Sequence, residues 1–438
     1  MKMCILIINV SCIMKKNTIY INVCLLLLVS SNILFACNNR RGRSENIKPN
    51  STKEIPAPKI QNERIGKVTF YLENSESMFG YISGITDYVD VVSELSEKPD
   101  FVIEKTTRDF YFVNGDKPTL THIGTDPSIL KNKLNKAEFS RGDITKSNLN
   151  AMFQIALQNA KNNNISILIS DGIYDIGGLG LNSLVTVGTA TRSEFIKRLG
   201  IGDLQTIMIK LNSQFIGDYF LASKTGKVHI NSSRPYYIWI FGDSKLLNKY
   251  FSNQYISEKL KGYEAVARFM KPGAINVQYQ ATSENLIGTF GFDRIENNCL
   301  VNAKSDRLGI GFQFAIAVDY SSLPFPESYF STLTNYSIKS NYSIVSIEKP
   351  TKKIFAVDFT PTHLITVQTK KSPCGTLSIS LMNNIPIWIT DANSNTEANI
   401  QTDKTHTYGL KYLTKGITEA YESMSKDQNL ANFEIKIR

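Results

Sequence analysis

Lys67-Val68-Thr69-Phe70-Tyr71-Leu72, running directly into Glu73-Asn74-Ser75-Glu76-Ser77, decides the reading of this chain. The first six residues are apolar or β-branched and predict a short buried strand. The next five set a carboxylate and two hydroxyls at alternating positions just beyond it. A second unit of the same kind follows later, where Ile165-Ser166-Ile167-Leu168-Ile169 ends in Ser170-Asp171-Gly172. In an open α/β sheet, ligands bind in the crevice outside the carboxyl ends of the strands, so two oxygen-rich tips at that edge converge on one point. Oxygen donors of this type suit a hard divalent cation such as Mg²⁺ or Mn²⁺.

The arrangement resembles the von Willebrand factor type A domain. That family carries a metal-ion-dependent adhesion site written Asp-x-Ser-x-Ser, then a Thr on a middle loop, then an Asp after a later strand. Ser75, Ser77 and Asp171 fall on three of those places, and Glu73 stands where the family has Asp. One extra methylene carries the carboxylate about 1.5 Å further out. Glu73 therefore either touches the ion directly or marks a site that holds no metal. The middle-loop ligand is sought in Ser140 to Leu149, before a helix whose apolar face is Leu149, Met152, Phe153, Ala156, Leu157 and Ala160. Ser147 occupies the family position by its distance from that helix, with Thr145 as the alternate. Ser147 also reads as the helix N-cap. The resemblance implies a metal set of Glu73, Ser75, Ser77, Ser147 and Asp171, with the serines ligating, Asp171 ligating or accepting from a bound water, and Glu73 balancing charge.

Strand and helix alternate from residue 66 to 263. Strands are expected at Lys67 to Leu72, Arg108 to Val113, Ile165 to Ile169, Leu204 to Leu211 and Tyr236 to Phe241. Helices are expected around Thr86 to Leu95, after Asp126-Pro127, from Leu149, at Thr191 to Leu199 and at Lys245 to Phe251. Such alternation implies a doubly wound, mostly parallel sheet covered on both faces. From 264 to 438 the texture becomes short β runs without helices between them: Ile275 to Tyr279, Leu308 to Asp319, Ile354 to Phe359, Leu364 to Thr369, Leu377 to Met382, and the alternation of Phe433, Ile435 and Ile437. These predict a β-rich, sandwich-like C-terminal domain. One helix interrupts it, with Leu410, Leu413, Ile417, Ala420, Tyr421 and Met424 on a face that packs on the sandwich or on the first domain. The aromatic run Phe325, Tyr329, Phe330, Tyr336 and Tyr342 reads as core, with a glycan or peptide groove as the alternative. Ile176-Gly177-Gly178-Leu179-Gly180 lacks the Gly-Lys-Ser/Thr ending of a phosphate loop and reads as a mobile loop beside the site.

The N-terminus bears on location. Lys15-Lys16 precede an apolar stretch from Ile19 to Phe35 that ends in Leu34-Phe35-Ala36-Cys37, and residues 1–37 resemble a bacterial lipoprotein signal with Cys37 as the lipidated residue. Translation starts at Met1 or at Met14. Residues 38–65 are basic, rich in Ser and Pro, and poor in apolar side chains, the composition of a flexible linker. Of the net charge of +10, three units lie in the signal and four in the linker, so nucleic-acid binding gets little support. Two of the six cysteines remain beyond Cys37, namely Cys299 and Cys374, as one possible disulfide or as two free thiols. No Cys/His spacing resembles a zinc site.

Two functions are expected from this reading. The first is a binding or scaffold lipoprotein of the cell envelope, lipid-anchored and periplasm-facing, that captures a protein partner's carboxylate through a divalent metal. The second is a metal- or Ser-dependent hydrolase, with Ser75 or Ser77 as nucleophile and His122 or His229 as base. A Gly-x-Ser-x-Gly elbow is absent around these serines.

Overall fold

Strand β1 (Lys67–Glu73) is buried along its length except at Lys67. A strand covered on both faces reads as a continuous apolar run, which is why its sequence does not alternate. Around it, the computed structural model describes residues 64–174, 181–222, 226–273, 275–354, 356–402 and 404–438. The signal, Cys37, the linker up to residue 63 and the loop Ile176 to Gly180 lie outside the described residues. Among those described, no helix is long and apolar enough to cross a membrane.

The remaining strands of the first sheet are β2 (Thr107–Asn114), β3 (Thr119–Gly124), β4 (Ile165–Ser170), β5 (Gln205–Phe220), β6 (Lys227–Gly242) and β7 (Tyr263–Phe269), in the order β3-β2-β1-β4-β6-β5-β7. β1 pairs in parallel with β2 on one side and β4 on the other. The junctions outside this trio are antiparallel, and β5 runs in the same direction as the trio. Helices α1 (Asp87–Ser96) and α2 (Pro99–Ile103) join β1 to β2. Then α3 (Pro127–Lys133), α4 (Lys136–Phe139) and α5 (Leu149–Asn159) join β3 to β4, α6 (Leu181–Leu199) leads to β5, and α7 (Ser244–Tyr250) and α8 (Asn253–Lys259) lead to β7. The chain winds to one side of β1 as far as β3 and returns on the other side as β4. The β1/β4 border is therefore the topological switch point, where a crevice opens at the strand ends.

Two differences from the sequence reading concern strands. β5 and β6 continue well beyond the apolar runs that signalled them and form a long ribbon, paired from Gln205 and Gly242 out to Phe220 and Lys227. Its outer half alternates buried with partly exposed or exposed positions, a weaker signal than the buried inner half. β7 takes the sheet past residue 263, so the boundary expected there falls inside the first sheet.

Beyond β7 the chain builds further, mainly antiparallel sheets. One has β8 (Gln278–Ile287), β11 (Phe312–Asp319), β13 (Ser343–Glu348) and β14 (His363–Thr369). The other has β9 (Thr289–Phe292), β10 (Cys299–Lys304), β12 (Tyr336–Lys339), β15 (Gly375–Met382) and β18 (Asn429–Ile437). Residues from both, such as Phe314, Ile365, Ile379 and Phe433, share one hydrophobic cluster. The segment expected to form a strand at Ile354 to Phe359 does not pair: it is turn and bend where described. The aromatic residues from Phe325 to Tyr342 are buried in this cluster, as the core reading has it.

Helix α9 (Glu327–Ser331), between β11 and β12, packs in the same cluster through Tyr329 and Phe330. After β15 the chain leaves these sheets as helix α10 (Ile387–Asp391), the short pair β16 (Asn393–Ser394) and β17 (Thr407–Tyr408), and helix α11 (Leu410–Ser423). Ile389, Tyr408, Leu410, Leu413, Ile417 and Tyr421 all belong to the first hydrophobic core. Helix α11 lies against α6 where glycines allow close approach: a Cβ on Gly416 would stand 2.2 Å from the Gly188 carbonyl oxygen.

The possible Cys299–Cys374 disulfide is corrected. Both thiols are free, Cys299 buried and Cys374 exposed. Cys299 in β10 aligns with Lys436 of β18, and Gly375 of β15 aligns with Ile437 on the opposite edge of β18. One strand thus separates them, placing the cysteines about 10 Å apart. A bridge needs Cα atoms within about 7 Å.

Candidate functional site

Where β1 ends, the chain turns into a tight 3-10 helix, Glu76–Ile82, entered through Ser75 in extended conformation. Ser75 occupies the cap position, yet its side chain makes no capping bond. The hydroxyl instead donates to Glu73 Oε1 at 2.8 Å and lies 3.0 Å from Ser77 Oγ. Extended backbone through Ser75 sets its side chain on the same side as Glu73, and the first turn of the 3-10 helix brings Ser77 back beside Ser75.

The middle loop arrives through a clamp that the sequence reading missed. Asn74 Nδ2 donates to the carbonyls of Phe139 and Arg141 at 2.8 and 2.9 Å, and Asn114 Nδ2 donates to Arg141 at 2.6 Å. Backbone bonds from Glu76 to Ile144 and from Gly115 to Lys146 pin the next residues, both at 2.9 Å. Ser147 then reaches Glu73 Oε1, its hydroxyl donating at 2.5 Å. The N-cap of α5 is Asn148, whose side chain accepts from the Ala151 N–H. The structure therefore separates two roles that the sequence left together on Ser147. Thr145, the alternate, also lines the cavity described below, but its hydroxyl donates to Asp143 at 2.7 Å. Asn148→Ala is expected to cost about 1 kcal/mol of stability, the usual price of a lost cap. Ser147→Ala removes a donor to Glu73 and should raise the Glu73 pKa further while weakening cation binding; chemical denaturation of the first variant and carboxyl titration of the second check the pair.

Glu73 is 1 % exposed, and its Oε2 has no hydrogen-bond partner. Burial, and then the charge of Asp171, push its carboxyl up to about 7, against the lowering effect of the Ser147, Ser170 and Ser75 hydroxyls. Burial also raises Asp171, offset by the Ile173 N–H, the Ser77 hydroxyl and the charge of Arg234. Arg234 is itself buried in β6, with its guanidinium 4.5 Å above the Tyr219 ring.

These groups meet a cavity of about 260 Å³ lined by Glu73, Ser75, Ser77 and Ser147 on one side and by Phe220, Leu221 and Ala222 on the other. Asp171 does not line it but stands behind, its Oδ1 accepting from Ile173 at 3.0 Å. Glu76, another carboxylate, faces the cavity, though the sequence reading gave it no role. The far wall is the end of the β5 ribbon. It is held from the C-terminal segment by buried Glu397, which accepts from the Tyr219 hydroxyl at 2.6 Å and the Ala222 N–H at 3.1 Å. No local pattern in the sequence signals Glu397 or Arg234.

None of the four histidines lines this cavity. His122 faces Asp109 at 3.9 Å, His229 is bonded to Asp218 at 3.1 Å, and His363 is bonded to Glu327 at 2.8 Å. His122 and His229 are thus withdrawn as bases for a serine nucleophile. Among the described residues no three His, Cys, Asp or Glu side chains cluster as a metal-binding group. The oxygen donors gathered at this site are mostly hydroxyls.

Compared with family models, curated proteins and solved structures, the chain finds no match.

Proposed function

We propose that this chain is a lipid-anchored binding module of the bacterial cell envelope, with a von Willebrand factor type A-like domain and a sandwich-like C-terminal domain, that captures a protein partner through a divalent cation at Glu73, Ser75, Ser77, Ser147 and Asp171. One observation carries this reading: side chains from three separate segments gather at the switch point of the sheet around a buried carboxylate whose second oxygen has no partner. A buried unpartnered carboxylate oxygen is costly; a proton relieves it below about pH 7, and a bound cation would relieve it above. The donor set fits Mg²⁺ or Mn²⁺, being all oxygen. When bound, the metal would supply a fixed positive point for a partner's carboxylate. Ser75, Ser77 and Ser147 would present their hydroxyl oxygens to it, and Glu73 and Asp171 would balance its charge, the nearby Arg234 partly offsetting the effect of burial on Asp171. The second loop depends on Asn74, so Asn74→Ala is expected to weaken the cation about tenfold without removing a ligand, as loss of an outer support does.

Calorimetric titration of Mg²⁺ and Mn²⁺ tests the site. Saturable binding that is lost in Ser75→Ala and in Asp171→Ala supports it, and a wild-type chain that binds neither ion removes it.

One contact favours a second reading, a serine-dependent hydrolase. Glu73, poised near neutral pH, accepts from both Ser75 and Ser147, and a base within hydrogen-bond reach and of suitable pKa is what serine activation needs. Turnover of acyl or phosphate esters that vanishes in Glu73→Gln and persists in chelator would favour it over capture.

A further inference from the structure

A second cavity, of about 680 Å³, opens between β7 and the loops around α9 and α10. We propose that it binds a neutral oligosaccharide. It lies apart from the proposed cation site, and no residue lines both cavities. Its chemistry excludes the other obvious occupants in turn.

The charged residue in its lining, Glu264, is already paired with Lys210 at 2.7 Å and bonded to Asn212. An ionic ligand would find no counter-charge there. Strand β7 is the last in its sheet and so presents an open edge of the sort to which an extended peptide can add. That edge is blocked in the middle, because the Trp388 indole Nε1 donates to the Val266 carbonyl at 3.3 Å. An amphipathic helix would need a continuous apolar groove; Val266, Ile385, Ile387 and Trp388 do give the cavity apolar lining, but Ser328, Thr332, Thr334, Asn335, Asn384 and Thr390 share it.

What remains is aromatic surface beside neutral hydroxyl and amide groups. Trp388 is half-buried, with its ring anchored at the indole nitrogen, and Tyr263 lines the same wall. A sugar ring is apolar on its C–H faces and ringed by hydroxyls that both donate and accept. Rigid amphipathic rings fit the first property. Amides and hydroxyls, able to donate and accept, fit the second. The polar wall is also preorganised: Asn384 Nδ2 donates to the Thr334 carbonyl at 3.1 Å and to Asn335 Oδ1 at 3.2 Å, and Asn335 Nδ2 donates to the Tyr329 carbonyl at 2.8 Å. A rigid wall saves the ordering cost that weakens sugar binding.

The chain has two tryptophans, and Trp239 is fully buried in the first core. Fluorescence therefore reports ligand at Trp388. The full chain, in chelator, is titrated with chitotetraose, cellotetraose and maltotetraose, and with the extended peptide Thr-Val-Thr-Val-Thr-Val. A saturable change with at least one sugar, at about millimolar concentration, is expected. Thr334 is exposed, so Thr334→Arg leaves the fold intact and obstructs the cavity, and it should weaken that sugar by about tenfold or more. Trp388→Phe removes the reporter and should abolish the fluorescence change, while calorimetry should still register the sugar. No change with any sugar, a change unaltered by Thr334→Arg, or a response to the peptide alone would overturn the proposal. Chelator keeps the outcome independent of the cation site.

Discussion

The metal-free protein is expected to lose stability as pH rises from 5 to 7.5, by about 2.5 kcal/mol at Glu73 alone. The direction follows from the proton count. Glu73 has an ordinary value of 4.5 and is pushed up to about 7 by burial and by Asp171, so the folded chain holds its proton more tightly than the unfolded chain. Between those two values the folded state carries the extra proton, and stability falls with increasing pH. Below 4.5 both states are protonated and the effect is flat. The raised carboxyl of Asp171 adds to the loss in the same sense. Urea unfolding in chelator at a series of pH values measures the slope. Glu73→Gln should remove most of it, because the amide has the same shape and no charge to desolvate. Saturating Mg²⁺ should remove it in the wild type, since a cation beside Glu73 favours the ionised form. A wild-type slope equal to that of Glu73→Gln would show that the carboxylate is hydrated and that no buried charge awaits a partner.

The residues that meet at this point were largely legible in the sequence because each follows a strongly apolar strand. Such strands are recognisable without a partner, and their carboxyl ends must share an edge when they run parallel. Glu73, Ser75, Ser77 and Asp171 are of this kind. Ser147 was found through the periodicity of the helix after it, but its role was not separable from capping until Asn148 took the cap. The supports were not legible. Asn74 and Asn114 act through backbone carbonyls of a loop distant in sequence, and nothing in their own neighbourhood predicts such a partner. Glu397 bonds to a strand end 178 residues away. The strands β3 and β7 were missed for a related reason. Both are edge strands, and most of β3 is exposed or half-exposed. An edge strand need not bury both faces, so its sequence carries a weaker apolar signal.

Domain order shows the same limit on a larger scale, and it leads to the other large expected effect. The change of texture near residue 264 is real, yet helix α11 returns to the first core, carrying Leu413, Ile417 and Tyr421 into it at full burial. Amphipathic periodicity identifies the face of α11 but not the surface that receives it. The receiving surface is α6, and the fit depends on glycine. On Gly416 even one methyl would meet the Gly188 carbonyl oxygen, while on Gly188 a methyl would stand 2.7 Å from the Tyr412 carbonyl oxygen. Backbone oxygens on packed helices cannot step aside, so a side chain there must push the helices apart. Gly416→Leu should accordingly cost more than about 3 kcal/mol, the upper part of the usual overpacking range, with lost contacts along α11 added. The buried bond between Tyr421 and Thr206, 2.9 Å long, would break with them. Because Glu397 lies in the same returning segment and holds the Tyr219–Ala222 wall, detachment should also reduce Mg²⁺ affinity, which Asn148→Ala should not do. Thermal unfolding and cation titration of the two variants side by side distinguish a coupled core from independent domains. If Gly416→Leu melts with the wild type, α11 is not part of the first core. If it melts early while Mg²⁺ binding is unchanged below the transition, the C-terminal segment stabilises the sheet without shaping the cavity.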